Sequence, residues 1–437
     1  MQTPKDGMRE PNKAGYIDTI WARIKVHPLS CIGPGLITGV ADDDPSGIAT
    51  YSQAGAQFGL NMLWTMPLAY PLMSAIQEMC ALIGRVTGKG LAANIRIAFS
   101  PAILIGVVLL LLIANILNIA ADVAAMGEVA ELVSGVNRHL MTAIFVLATL
   151  LLQVFIPYHR YVFYLKWLTL SLLAYGLVLF TVHVPWEQVL WRTLWPRFTL
   201  NAESAAMIVG VFGTTISPYL FFWQASEEVE DMNACEGAQA LVVNPRDAER
   251  ELGRIKWDTW SGMLYSDMAA YCIILATAVT LHAAGVTDIQ TAAQAASALR
   301  PLAGDFAFII FALGILGVGM IGVPVLAGSA AYALSEAMNW QFGLEKKLDD
   351  AKGFYSVIAV SVLAGLVIQY SPINPMKALF WSAVINGVVA VPLMVVIIML
   401  ASKKNVMGKF TASKTLLTLG WIATAVMGAA AIRMFVP

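Results

Sequence analysis

Three consecutive carboxylates, Asp42, Asp43 and Asp44, run directly into Pro45, Ser46 and Gly47 within a stretch from Gly33 to Gly59 that is otherwise mostly apolar. Proline removes a backbone donor and glycine weakens a helix, so an apolar helix must break at this point. A break frees carbonyl oxygens and half-helix ends. At membrane depth such groups are tolerated only when they are buried in protein or line a wet cavity. Carboxylate and carbonyl oxygens gathered in this way form a donor set for a hard cation. A second run, Gly210 to Asp231, is interrupted at Gly213, Thr214, Thr215 and Pro218 and offers hydroxyls, including Ser217, instead of carboxylates. Either interruption alone could be a simple proline kink. Two of them at matching places suggest an ion site between the breaks.

Acids inside apolar spans are functional candidates by default. Asp122 qualifies, as does Asp267, which sits in the apolar run LYSDMAAYCIILA and reads as the deepest acid after Asp44. Asn386 is expected to line a cavity. Glu78, Glu128 and Glu131 fall near span ends. The acidic run Glu227, Glu228, Glu230 and Asp231 reads as a solvated helix end, with a cation-concentrating funnel as the alternative. All five histidines lie near span ends, and neither break contains one. GRVTGKG, from Gly84, lacks phosphate-loop spacing, and no H-E-x-x-H or G-x-S-x-G nominates a catalytic centre, so no enzyme is expected. Cys31, Cys80, Cys235 and Cys272 are scattered and read as buried free thiols.

The elements that must position these residues are membrane helices. The chain is 58% hydrophobic and 13% charged, against about 25% charged in soluble domains. Eleven candidate spans lie near 30–58, 61–84, 101–134, 139–157, 161–183, 203–226, 257–284, 305–337, 354–371, 376–401 and 413–435. Each is long enough to cross about 30 Å of hydrocarbon. The polar N-terminal segment, 1–28, carries no cleavable signal pattern. Two connections, Trp186 to Leu200 and Asp288 to Leu302, look amphipathic and are expected to lie on a membrane surface. With the N-terminus in the cytoplasm, 21 of the 27 Lys and Arg residues fall on the inner side and 6 on the outer side. That bias puts the N-terminus inside and the C-terminus outside the plasma membrane. The formal charge of −1 suggests no nucleic-acid partner. The expected partners are the lipid bilayer and a divalent metal ion, with no cofactor and a monomer as the working expectation.

Spans 1 and 6 open two sets of five, which predicts a first repeat at 29–184, an extracellular connection at 185–202, an inverted second repeat at 203–402 and an added helix within 403–437.

The stretch Gly33 to Gly59 resembles the first helix of the NRAMP metal transporters. Its GPG start, acid-proline pair and QAGAQFG continuation all fit, and VTGKGLA, from Val86 to Ala92, adds to the likeness. The resemblance covers nearly the whole chain. It implies a LeuT-type, all-α membrane fold of five plus five inverted helices, with discontinuous helices 1 and 6 and alternating access between them. In that family an aspartate and an asparagine of helix 1, and a methionine sulfur and an alanine carbonyl of helix 6, hold the metal. Asp44 matches the aspartate, and Gly47 stands at the asparagine. Thr214 stands at the alanine, Ser217 at the methionine, Tyr219 at the first histidine and Gln224 at the second.

These departures replace a soft thioether with hard oxygen donors and leave room for a partly hydrated ion. The pattern resembles the NRAMP-related magnesium transporters. It implies Mg²⁺ import, with Mn²⁺ also passing, and no obligatory proton coupling because the histidines are missing. The metal set so implied is Asp44, Gly47, Thr214 and Ser217. Asp43, Tyr219, Gln224, Asp122, Asp267 and Asn386 form the outer shell or pathway, and contact of Asp42 with the ion is left open. The alternatives are a proton-driven Mn²⁺ or Fe²⁺ importer, a sodium-coupled amino-acid transporter on the same fold, and a Mg²⁺-permeable channel. Three aspartates at the break disfavour a carboxylate substrate there. Paired broken helices favour a carrier over a channel.

Overall fold

The computed structural model describes residues 34–156, 170–197, 201–234, 238–344, 346–368, 370 and 372–435. Every regular element among them is helical. The first predicted span is two half-helices, α1 (Pro34–Asp42) and α2 (Pro45–Phe58). Then come α3 (Thr65–Thr87), α4 (Leu91–Ala98), α5 (Pro101–Ser134), α6 (Arg138–Phe155), α7 (Leu173–Val178) and α8 (Trp186–Leu194). The sixth span is again split, into α9 (Ala202–Thr215) and α10 (Pro218–Ala234). The chain continues with α11 (Ala248–Thr277), α12 (Ala292–Ala296), α13 (Arg300–Ala303) and α14 (Ala307–Met338). It ends with α15 (Lys352–Ile368), α16 (Pro375–Ser402), α17 (Lys404–Met407) and α18 (Lys414–Phe435). The N-terminal segment and the first part of the fifth predicted span, 161–169, lie outside the described residues.

Burial separates the helices by role. Over the most apolar window of α9 and α10, 94% is buried, whereas the corresponding window of α6 is only 22% buried. Ile105, Leu109 and Ile113 on α5 and Leu147 on α6 are exposed apolar side chains, as expected of a surface that faces hydrocarbon rather than water. The broken helices therefore sit at the centre of the bundle.

Small residues let them sit there. A Cβ on Gly39 of α1 would lie 2.2 Å from the Gly262 carbonyl oxygen of α11. A Cβ on Gly213 of α9 would lie 2.1 Å from the Ala383 carbonyl oxygen of α16. With hydrocarbon as solvent, such close backbone approach supplies the packing energy that holds helices together.

Two sequence expectations are corrected. The acidic run is a solvated helix end only at Asp231, which is exposed; Glu227 and Glu228 are buried. Glu228 is 0% exposed and pairs with Arg254 of α11 at 2.5 Å. Glu230 accepts the Tyr332 hydroxyl at 2.6 Å and the Leu344 amide at 2.9 Å. Partners arriving from α11 and α14 bury acids that the local sequence leaves bare. The segment from Asp288 to Leu302 is not laid on a surface either. Ile289, Ala292, Ala295, Ala298 and Leu299 are buried within the protein, while polar groups there cap its short helices. By contrast α8 leaves Trp186, Leu190, Trp191 and Leu194 exposed. Cys80 and Cys272 are free thiols, the first buried and the second half-buried, while Cys31 and Cys235 lie outside the described residues.

Candidate metal site

The first break is organised by Asp44. Its carboxylate caps α2, accepting the Gly47 amide at 2.8 Å and the Ser46 hydroxyl at 2.7 Å on Oδ1. Pro45 at the first helical position loses no hydrogen bond, because that amide would be unpaired anyway. A negative group at a half-helix N-terminus is also favoured by the helix dipole. Oδ2 accepts the Asn118 amide of α5 at 2.7 Å and stands 3.5 Å from the Tyr219 hydroxyl, which also donates to the Ala41 carbonyl oxygen at 3.1 Å. A carboxylate has about four lone-pair sites. Both on Oδ1 are used, so only Oδ2 retains a position for a further ligand.

At the second break α9 ends at Thr215 and α10 starts at Pro218. The Thr214 hydroxyl donates to the Tyr51 hydroxyl at 2.9 Å and also lies 2.9 Å from the Val211 carbonyl oxygen. The Ser217 hydroxyl lies 2.6 Å from the Thr214 carbonyl oxygen and 2.9 Å from that of Gly213. Donation by Ser217 to either carbonyl leaves its own lone pairs unspent. Over Gly47 lies the ring of Tyr51, 3.3 Å from where a Cβ would be. Tyr51 thus bridges the two positions, packing on Gly47 and bonding Thr214.

The outer residues form two further groups. Asp122, one helical turn after Asn118 on α5, is buried within electrostatic reach of Asp44 and has no well-formed hydrogen bond on either carboxylate oxygen. Ser266 of α11 donates to Asp42 at 2.5 Å and lies 3.2 Å from Asp43. Asp267 follows it on the same helix, within reach of both charges. Gln224 accepts the Thr38 hydroxyl at 2.5 Å, joining α10 to α1 away from the break. Asn386 of α16 is buried with both amide atoms unpartnered.

Among the described residues, no Lys, Arg or His forms an ion pair with Asp42, Asp43, Asp44, Asp122 or Asp267. No group of three or more His, Cys, Asp or Glu residues is placed to hold a metal. The break therefore presents one carboxylate among neutral oxygens, in a field made negative by neighbouring acids. Asp44 and Thr214 are 2% exposed and Ser217 is 1% exposed, so all three are buried in the protein.

Of the predicted metal set, Asp44 and Thr214 stand at the two breaks, and Asn118, Tyr51 and Ser266, which the sequence reading did not single out, are the partners around the predicted acids and Thr214. The spacing of Asn118 and Asp122, four residues apart on an apolar helix, puts two polar groups on one face and was the available signal.

A helical membrane bundle with two central broken helices that meet at their breaks has the construction of a membrane transporter. The family model for natural resistance-associated macrophage protein-like (Nramp) proteins matches residues 35–437. The divalent metal cation transporter MntH of Acidiphilium cryptum is 26% identical over 404 residues, covering 87% of this chain and 84% of that protein. MntH of Bradyrhizobium diazoefficiens is 25% identical over 430 residues, covering 93% and 88%. The structure of the Eremococcus coleocola manganese transporter, bound to an aromatic bis-isothiourea compound, superposes with a TM-score of 0.74 at 16% identity, covering 97% of this chain and 88% of that one. The nucleobase-cation-symport-1 transporter Mhp1 superposes at 0.55 and 14% identity, covering 92% of each. This chain belongs to the Nramp family and has the LeuT-type fold with discontinuous first and sixth helices.

Proposed function

We propose that this protein imports divalent cations across the plasma membrane by alternating access, with largely hydrated Mg²⁺ as its main substrate and Mn²⁺ as a second. Its relatives carry the name divalent metal cation transporter, which supports the ion class. The observation that carries the finer reading is the donor set: Asp44 with Thr214, Ser217 and freed carbonyls, and neither thioether nor imidazole at the breaks. Mg²⁺ prefers oxygen, sheds water reluctantly and usually touches one or two carboxylates. A single open position on Asp44 Oδ2 suits an ion that keeps most of its waters. The Tyr51 ring packs over Gly47, Tyr219 and Asp122 border Asp44, and Asp43, Asp267, Gln224 and Asn386 are the polar groups assigned to the pathway beyond it.

The ion enters from outside, drawn by the membrane potential. Repeats at 29–184 and 203–402 rock around it, with 185–202 connecting them outside, the N-terminus inside and the helix within 403–437 as an addition. No proton is obligatorily exchanged, because neither break holds a histidine. The second reading, a proton-coupled manganese carrier, draws on the likeness to a manganese transporter and on the buried Asp122.

Proteoliposomes with an entrapped Mg²⁺ dye and a pH dye separate the two. The expected result is saturable Mg²⁺ entry with no Mg²⁺-dependent acidification. Mn²⁺ entry accompanied by protons, with Mg²⁺ excluded, would establish the second reading. Flux that does not saturate would indicate a channel.

A further inference from the structure

Helix α10 carries half of the second break, and its far end is held in two unlike ways. On one side Glu228 pairs with Arg254 at 2.5 Å, and Arg254 also lies 3.3 Å from Glu251, which takes Arg85 of α3 at 3.2 Å. These links join α10 to α3 and α11 through ionic pairs between oppositely charged groups. On the other side α10 meets α14. There the Ser226 hydroxyl donates to Glu336 Oε1 at 2.9 Å, and Glu230 accepts from Tyr332. These links join a carboxylate to a neutral hydroxyl, so parting them separates no pair of opposite charges.

Glu336 has a second task. Its Oε2 accepts the Ala93 amide at 3.2 Å, at the start of α4. The residue before α4 is Gly90, which has no side chain to cap the helix, so a carboxylate from α14 does so instead. A Cβ on Gly90 would lie 1.8 Å from Glu336 Oε1, so the glycine is required for the carboxylate to enter. This accounts for the second glycine of the VTGKGLA stretch. Arg96 of α4 bonds Asn339 just past α14 at 3.1 Å, and Lys403 donates to the Ala98 carbonyl oxygen at the other end of α4 at 2.9 Å. Helix α4 is therefore tied to α14 and to the end of α16, and Asn94 of α4 also bonds the Thr87 hydroxyl at the end of α3 at 2.9 Å.

We propose that Glu336 is a positioning residue for transport: it stays fixed as the cap of α4 and releases Ser226 when α10 moves with α11 to open the site towards this end of the bundle. The inference rests on the alternating-access reading above. Glu336 and Ser226 are 2% and 1% exposed, so their separation admits water to a seam that is otherwise closed.

The test is thiol labelling in detergent, where both ends of the protein are reachable. Val229→Cys, one turn beyond Ser226 and buried, is the reporter. Cys31, Cys235 and Cys272 are replaced by serine, and Cys80, buried in α3, is retained as a control for general loosening. Peptide mapping separates the two thiols. Ser226→Ala removes the α10 half of the link and leaves the cap on α4 untouched. It is expected to speed labelling at position 229 about tenfold, the shift that follows loss of one hydrogen bond to a charged group, with Cys80 unchanged. Glu336→Ala should do the same, and Glu336→Gln, which keeps an acceptor, should fall between. If Glu336→Ala does not fold, Ser226→Ala decides alone. Labelling within about twofold of the parent, or equal acceleration at Cys80, would overturn the proposal. Labelling needs no transported ion, so failure of the Mg²⁺ reading in the uptake assay would leave this test standing.

Discussion

Asp44→Asn is expected to abolish divalent-cation uptake while leaving the protein folded. The carboxylate has two tasks that this substitution separates. As the cap of α2 it accepts the Gly47 amide and the Ser46 hydroxyl, and asparagine performs that task about as well as aspartate. As the acid nearest the second break it supplies charge to the ion, which asparagine cannot. If one bound water donates to the open position on Oδ2, losing it costs about 1.5–3 kcal/mol, roughly a ten- to hundredfold loss of affinity. Asp44→Ala should show the same loss of uptake plus a fall in stability of about 1 kcal/mol from the missing cap. Uptake into proteoliposomes and thermal unfolding in detergent measure the two effects. Uptake by Asp44→Asn within a few-fold of the parent would place the ion elsewhere.

The second large effect concerns selectivity. Gly47→Asn combined with Ser217→Met puts an amide oxygen and a thioether where the family resemblance implies them. Both have a physical case. A Cβ at position 47 meets the Tyr51 ring at 3.3 Å and Asp44 Oδ1 at 3.6 Å, a fit needing a shift of a few tenths of an ångström. The Ser217 hydroxyl is engaged only with carbonyls at the adjoining end of α9, so its removal strands no distant partner. A soft ligand favours transition metals, and added side-chain volume removes room for hydration water. The preference for Mg²⁺ over Mn²⁺ is expected to fall by about tenfold or more, equivalent to about 1.4 kcal/mol. Competition of the two ions in the uptake assay reads it directly. An unchanged ratio would mean that these positions do not contact the ion.

How far the sequence carried the reading depends on where each residue finds its partner. The first break was plain, because Asp44, Pro45 and Gly47 are neighbours and act on their own backbone. The second break became legible by its pairing with the first. The spans were legible because hydrocarbon demands apolar helices whatever their packing. Asn118 was missed because its role comes from contact with Asp44, 74 positions away in the chain. Tyr51 was missed for the same reason, since its bond is to Thr214. The acidic run was misread because its partners, Arg254 and Tyr332, belong to helices that come later in the chain. The segment after Asp288 was misread because alanine packs against protein as readily as it faces lipid. Local chemistry thus identified the breaks, and only the assembled bundle identified what surrounds them.

The central claim is that a divalent ion sits at Asp44 between the breaks. Anomalous diffraction from crystals soaked in Mn²⁺ tests it most directly, because Mn²⁺ shares the oxygen preference and scatters strongly. The expected result is one peak beside Asp44 Oδ2, about 2 Å away if the contact is direct and about 4–5 Å if one water intervenes. It should be absent in Asp44→Asn. A peak between Asp42, Asp43 and Asp267, with none at Asp44, would contradict the account.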